Sequence, residues 1–340
     1  MPKTQVSRRS FLKFGVPGLV GLAGTGAVLA RVARGGQPAA PEGGREPRYA
    51  PKTIEPAVGE GMDPGKFLAH FDYGKVSKLS NGQTLREYEV DAIDREVVVA
   101  KGVTFPAWTF NGYVPGPTLR ATQGDRIRIH FRNLGAHPHT MHFHGIHPAN
   151  MDGVFEWVPP KGGRFTYEFD AEPYGVHLYH CHVFPLKTHI MKGQYGTFII
   201  DPKEGRPPAH EMVMVMNGFD TNLDGDNEFY TVNGVANYYR DHPIRIRLGE
   251  LVRVYLVNMT EFDPINSMHI HANFFRLYRT GTRMDYYEYT DTVTLGQGER
   301  CILEFEYSHP GKFMFHAHQS EFAELGWLGF FDVQPDRPRA

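Results

Sequence analysis

Gly124-Asp125-Arg126-Ile127-Arg128-Ile129-His130-Phe131 sets a turn before a run in which apolar and polar residues alternate. Alternation at period 2 marks a strand with one buried face, and the β-branched and aromatic residues on that face suit a pleated surface. Downstream, Phe165-Thr166-Tyr167-Glu168-Phe169 and Thr197-Phe198-Ile199-Ile200 read the same way, and upstream the alternation begins after Leu85. The order of signals around this stretch then occurs a second time. Asn111-Gly112, Gly124-Asp125 opening a strand, a histidine cluster at 139–144 and His180-Cys181-His182 are answered by Asn233-Gly234, Gly249-Glu250 opening Leu251–Val257, His269-Ile270-His271 and His316-Ala317-His318. Gly124 precedes His142 by 18 residues and Gly249 precedes His269 by 20, so the halves read as copies of one unit. The expectation is an all-β chain of two tandem β-sandwich domains, residues 85–205 and 206–337.

Composition agrees and excludes several functions. At ~150 residues per domain, 340 residues make about two domains. The 36 basic and 38 acidic side chains nearly cancel, which argues against a nucleic-acid partner. Two cysteines exclude a disulfide scaffold, and 37 Gly with 25 Pro favour short strands and tight turns. Ser7-Arg8-Arg9-Ser10-Phe11-Leu12-Lys13, followed by the uncharged Phe14–Ala30, resembles a twin-arginine export signal. Residues 1–35 are therefore expected to be a signal peptide and 36–84 a leader or linker. The mature chain would then be periplasmic or extracellular, with no stable membrane insertion.

The 18 histidines are the unusual number. Four His-x-His pairs occur, His142/His144, His180/His182, His269/His271 and His316/His318. Residues i and i+2 of a strand project to one face, so each pair offers two imidazoles to one point. Imidazole suits Zn, Cu, Fe and Ni alike. Cys181, between two of these histidines, narrows the choice: two imidazoles and a thiolate with a weak axial ligand make the blue-copper geometry. It also joins such a copper through the backbone to His180 and His182.

With Asn111-Gly112-Tyr113-Val114-Pro115-Gly116-Pro117-Thr118, His139-x-x-His142-x-His144-Gly145 and His180-Cys181-His182 followed by His189, residues 85–335 resemble the two-domain, laccase-like multicopper oxidases. The resemblance implies cupredoxin-like Greek-key domains and four coppers per functional unit. A blue copper would lie on His139, Cys181 and His189 of the first domain. His142 and His269 would hold the mononuclear member of a trinuclear cluster, and His144, His180, His182, His271, His316 and His318 its coupled pair. The second domain has no cysteine in His316-Ala317-His318 and is expected to carry no blue copper. The family's axial position is commonly Met or Leu; here it is Gln194 in Gly193-Gln194-Tyr195-Gly196, with Met191 the competing candidate. An amide oxygen is a harder donor than a thioether, so a low potential is expected.

The implied reaction takes electrons one at a time from a small reductant and reduces O2 to water, consuming protons. Asp152, in Met151-Asp152-Gly153, resembles the acidic residue that family members place near the cluster, and Glu321 is a second candidate. Because the ligands come from both domains, the resemblance implies a homotrimer with clusters at subunit interfaces. A copper nitrite reductase, which needs no second histidine after the cysteine, and a non-catalytic electron-transfer protein are the rival readings. The residues do not distinguish phenols, aromatic amines, metal ions or a redox protein as reductant. Asp220-x-Asn222-x-Asp224-Gly225 opens like a calcium loop but has Thr231 at its twelfth position, and is read as a turn. Met212, Met214, Met216 and Cys301 are read as core.

Overall fold

The computed structural model describes residues 63–335. The export signal and residues 36–62 of the expected leader lie outside the described residues. In the first half, β1 (Lys75–Lys78), β2 (Thr84–Ala100), β3 (Val103–Phe110), β4 (Leu119–Thr122), β5 (Arg126–Asn133), β6 (His142–Phe143), β7 (Gly163–Asp170), β8 (Gly175–His180) and β9 (Tyr195–Asp201) form two sheets. The second half contributes β10 (His210–Phe219), β11 (Phe229–Val232), β12 (Ile244–Arg247), β13 (Val252–Asn258), β14 (Ile265–Ile270) and β15 (Phe275–Arg279). It ends with β16 (Glu288–Thr290), β17 (Thr292–Gly296), β18 (Arg300–Phe305), β19 (Gly311–His316) and β20 (Leu328–Gln334).

The two halves share one topology. In the first, β2 pairs with β1 and β3 and lies parallel to β5, which pairs with β7, and the facing sheet runs β4-β9-β8-β6. In the second, β11-β10-β13-β18-β15-β16 faces β12-β20-β19-β14-β17. The parallel pairs recur at matching places, β2/β5 with β10/β13 and β4/β9 with β12/β20. The chain is therefore all-β, two tandem cupredoxin-like Greek-key sandwiches.

The repeat extends to single turns. Asn111 and Asn233 both sit at positive φ, 55° and 56°, a conformation asparagine tolerates. Asn111 accepts from the Asp91 amide and donates to the Glu89 carbonyl of β2; Asn233 does the same to Val215 and Val213 of β10. Each sandwich has its own core, Ile127, Phe143 and Phe198 in the first and Met214, Phe315 and Trp327 in the second. A third cluster, with Val99, Phe105 and Ile199 against Val213, Phe219 and Tyr255, joins them.

Met212, Met214, Met216 and Cys301 are fully buried, as core residues should be. The Asp220 loop is a turn whose carboxylate accepts from the Asp224 and Gly225 amides. The described part of the segment expected as linker, residues 63–84, packs against the two sandwiches. A one-turn helix α1 (Pro64–Phe67), capped by Asp63, lies in this segment. Leu68 and Phe71 explain its docking: Leu68 enters the second core, its carbonyl accepts from the Val213 amide, and Phe71 packs on the cluster between domains. No helix among the described residues is long and apolar enough to cross a membrane.

Candidate metal centres

Strand register assembles the paired histidines. β6 and β8 are antiparallel with His142 opposite His180; β14 and β19 repeat this with His269 opposite His316. Each pair continues past its strand to a second histidine on the same side, so four imidazoles gather at one edge of each sandwich. His144 Nε2 lies 3.0 Å from His180 Nε2, and His271 Nε2 lies 3.1 Å from His316 Nε2. A metal bound at the ~2.0 Å typical of imidazole would see either pair at about 100°, an ordinary coordination angle. His182 and His318 stand beside these pairs, their rings 5.2 Å from His142 and 5.5 Å from His269.

Tautomers are fixed from outside the clusters. His142 Nδ1 is 2.9 Å from the Asp152 carbonyl, His180 Nδ1 2.9 Å from that of Cys181, His269 Nδ1 2.9 Å from that of Asp291, and His316 Nδ1 2.6 Å from that of Ala317. In each case the Nδ1–H donates outward, leaving the Nε2 lone pair for a metal. Burial also drives the His144 imidazolium pKa down to about 3 and that of His180 to about 4, so both rings are neutral at neutral pH.

A different set lies inside the first sandwich. His139 and Cys181 are fully buried and His189, on α2 (Leu186–Met191), is 3% exposed. Their donor atoms form a triangle: Sγ to His189 Nδ1 3.2 Å, Sγ to His139 Nδ1 3.8 Å, and Nδ1 to Nδ1 3.2 Å. The point equidistant from all three is about 2.0 Å from each, the length of a metal–imidazole bond. Burial lowers His139 to about 2 and His189 to about 4 and pushes the Cys181 thiol up to about 11. A metal must therefore displace the thiol proton but meets no protonated ring. The Thr140 amide donates to Sγ at 3.4 Å. Gln194 is buried with Oε1 3.2 Å from His189 Nδ1, whereas Met191 is half-buried at the end of α2. The residues fit a four-ligand copper site.

Family models for multicopper oxidase match residues 92–205 and again 206–337. The chain belongs to the multicopper oxidases. The crystal structure of a multicopper oxidase is 56% identical to it at a TM-score of 0.79, covering 81% of this chain and 98% of that one. A copper nitrite reductase from Nitrosomonas europaea is 28% identical at a TM-score of 0.68, covering 75% of this chain and 96% of that one. The copper-containing nitrite reductase of Neisseria meningitidis is 26% identical over 251 residues, 68% of this chain and 64% of that protein. This multicopper oxidase thus spans just under two thirds of the length of that curated relative.

The structure places the two sequence-named carboxylates differently. Asp152 Oδ1 is 2.9 Å from His142 Nδ1 and 3.4 Å from His147 Nε2, at the cluster edge. Glu321 is exposed on the short helix Ser320–Glu324, and the carboxylate that faces His269 is Asp291, its Oδ2 3.9 Å from Nδ1. Asp291 escaped sequence reasoning because it sits between β16 and β17, strands with no counterpart in the first half. Trp108 escaped too, being one aromatic among many on an alternating strand; its ring lies 4.9 Å from His189 and 5.5 Å from His139. Among the described residues, no group of converging metal-binding side chains combines the two domains' clusters.

Proposed function

We propose that this multicopper oxidase is laccase-like, coupling one-electron oxidation of a phenolic or other small reductant to four-electron reduction of O2 to water. The observation that carries the reading is the duplicated register, which sets His142 opposite His180 and His269 opposite His316 and offers eight imidazoles where a single catalytic copper needs three. His139, Cys181, His189 and Gln194 would hold one copper, and the eight paired histidines three more. Copper, when bound, supplies the one-electron chemistry and the activation of O2.

The protein's own residues do the rest. Each close Nε2 pair offers two ligands, and His182 and His318 are each left over, so His318 is proposed to complete His144/His180 and His182 to complete His271/His316. Cys181 is covalently continuous with His180 and His182, a through-bond path between the two centres. Asp152 orients His142 and is the carboxylate placed to hold and pass on protons, with Asp291 in the matching place at His269. Because the two domains' histidine clusters do not converge within one chain among the described residues, we infer a homotrimer in which the first domain of one subunit faces the second domain of its neighbour. The twin-arginine segment supports export to the periplasm or beyond.

The names of the nitrite reductase relatives favour a second reading, in which the chain reduces nitrite and holds two coppers. His182 has no task there. Copper content and turnover decide: about four coppers per chain with oxygen uptake supports the oxidase, and about two with nitrite reduction and no oxygen uptake replaces it with the reductase.

A further inference from the structure

Beyond the ligands themselves, the way into the His139–Cys181–His189 centre is narrow. His139 is fully buried, its Nε2 has neither solvent nor a hydrogen-bond partner, and His189 is only 3% exposed. Rings so covered offer a reductant almost no surface. Beside both imidazoles lies the half-buried indole of Trp108, more exposed than either ring. Its ring is 4.9 Å from His189 at 64° and 5.5 Å from His139 at 61°, edge-to-face in both cases, and 4.4 Å from the half-exposed His137.

The position is built in. Trp108 lies on β3, and its amide donates at 2.9 Å to the carbonyl of Lys192, directly after the helix that carries His189. His137, on its other side, belongs to the loop that delivers His139. The indole is therefore held by both ligand-bearing segments and touches both ligand rings.

We propose that the reductant meets this enzyme at the Trp108 indole, beside the tilted ring of His137, and that electrons enter the His139–Cys181–His189 centre through that indole and not through a bare ligand imidazole. The inference rests on the reading of that centre as a copper site. In each event the reductant loses one electron, a hydroxyl-bearing donor also gives its proton to water, and the copper held by the three ligands is reduced by one electron. The indole keeps its electron count and acts as the medium. The chemistry of the contact favours a flat conjugated donor. None of the metal-binding groups among the described residues includes His137 or a residue of β3, so the cation-binding set beside the indole is the His139–Cys181–His189 centre itself.

The test uses the copper-loaded enzyme and two variants, Trp108→Phe and Trp108→Leu. Under argon, the rate at which the thiolate-to-copper colour is bleached is measured with hydroquinone and with hexacyanoferrate(II), a hydrophilic donor that needs no stacking. Trp108→Leu should slow bleaching by hydroquinone about tenfold, the size of a lost aromatic pair. Trp108→Phe should restore most of that rate, hexacyanoferrate(II) should be affected less, and the midpoint potential and EPR spectrum should stay as in the parent. Saturation-transfer NMR of hydroquinone on the fully reduced enzyme, which cannot turn over, should weaken in Trp108→Leu and recover in Trp108→Phe. An unchanged hydroquinone rate in Trp108→Leu would place entry at His189 and overturn the proposal. So would an equal loss with both donors accompanied by a shifted potential, which marks a merely structural role. A parent enzyme without thiolate-to-copper colour would remove the copper reading itself, a failure visible before any variant is made.

Discussion

Gln194, the proposed fourth ligand of the buried centre, is the side chain placed to tune its strength as an oxidant. It is fully buried, Oε1 faces His189, and Nε2 has no hydrogen-bond partner. An amide oxygen stabilises Cu(II) relative to a thioether, so Gln194→Met should raise the potential of the blue centre. The same change removes a buried N–H that nothing satisfies, so the melting temperature should not fall. Potentiometric titration of parent and variant checks the first statement; a potential that falls or stays unchanged contradicts it. The cysteine and histidines of this centre were legible because their chemistry is carried by residue type and by spacing of a few positions. Trp108 and Asp291 were not, since their significance lies in which strand edge they reach, and that depends on pairing between segments distant in sequence.

Strands and turns carry the clusters, and here the duplicated order of motifs foretold the layout well. Alternation around Gly124 and Gly249 led to strands at Arg126–Asn133 and Val252–Asn258, in matching places of two sandwiches. What alternation could not give was register, the property that sets His142 across from His180. It also missed β1, whose four residues are all exposed and therefore show no buried face. The turn after Asp152 depends on a glycine. Gly153 has φ of +74°, and a Cβ there would lie 2.2 Å from the Met141 carbonyl, one residue before His142. Gly153→Ala must push the Asp152 turn away from β6, with strain of about 1–3 kcal/mol. The expected outcome is a lower melting temperature and fewer coppers per chain, while the thiolate colour persists because Cys181, directly after β8, lies on a segment distinct from that turn. Full copper content in this variant would show that the turn does not position Asp152.

At the scale of the whole molecule, two ties matter, one within the chain and one proposed between chains. Within it, Glu211 bridges Arg120 of the first domain at 2.6 Å and Arg253 of the second at 3.0 Å, with the Tyr255 hydroxyl at 2.7 Å. Burial of Glu211 opposes its charge, but the hydrogen bonds and charges of the two arginines outweigh it and hold its pKa below 4.5. A lowered native pKa contributes stability that is fully present above the unfolded value and is lost as pH falls through the native one. Glu211→Ala should therefore cost about 3 kcal/mol near neutral pH, leaving two nearly buried arginines short of a partner. Its melting temperature should also fall less steeply than the parent's on acidification below about pH 4.5. Between chains, the proposed trimer makes a sharper statement. A double variant His142→Ala/His144→Ala removes two of the four first-domain histidines of every proposed cluster, and His316→Ala/His318→Ala removes two of the four from the second domain. Each alone should bind blue copper yet consume no oxygen. Co-expressed in equal amounts, they form some interfaces in which an intact first domain meets an intact second domain, and random assembly makes about one quarter of interfaces of that kind. Oxygen uptake should return to about a quarter of the parent rate, a recovery that clusters closed within single chains could not produce.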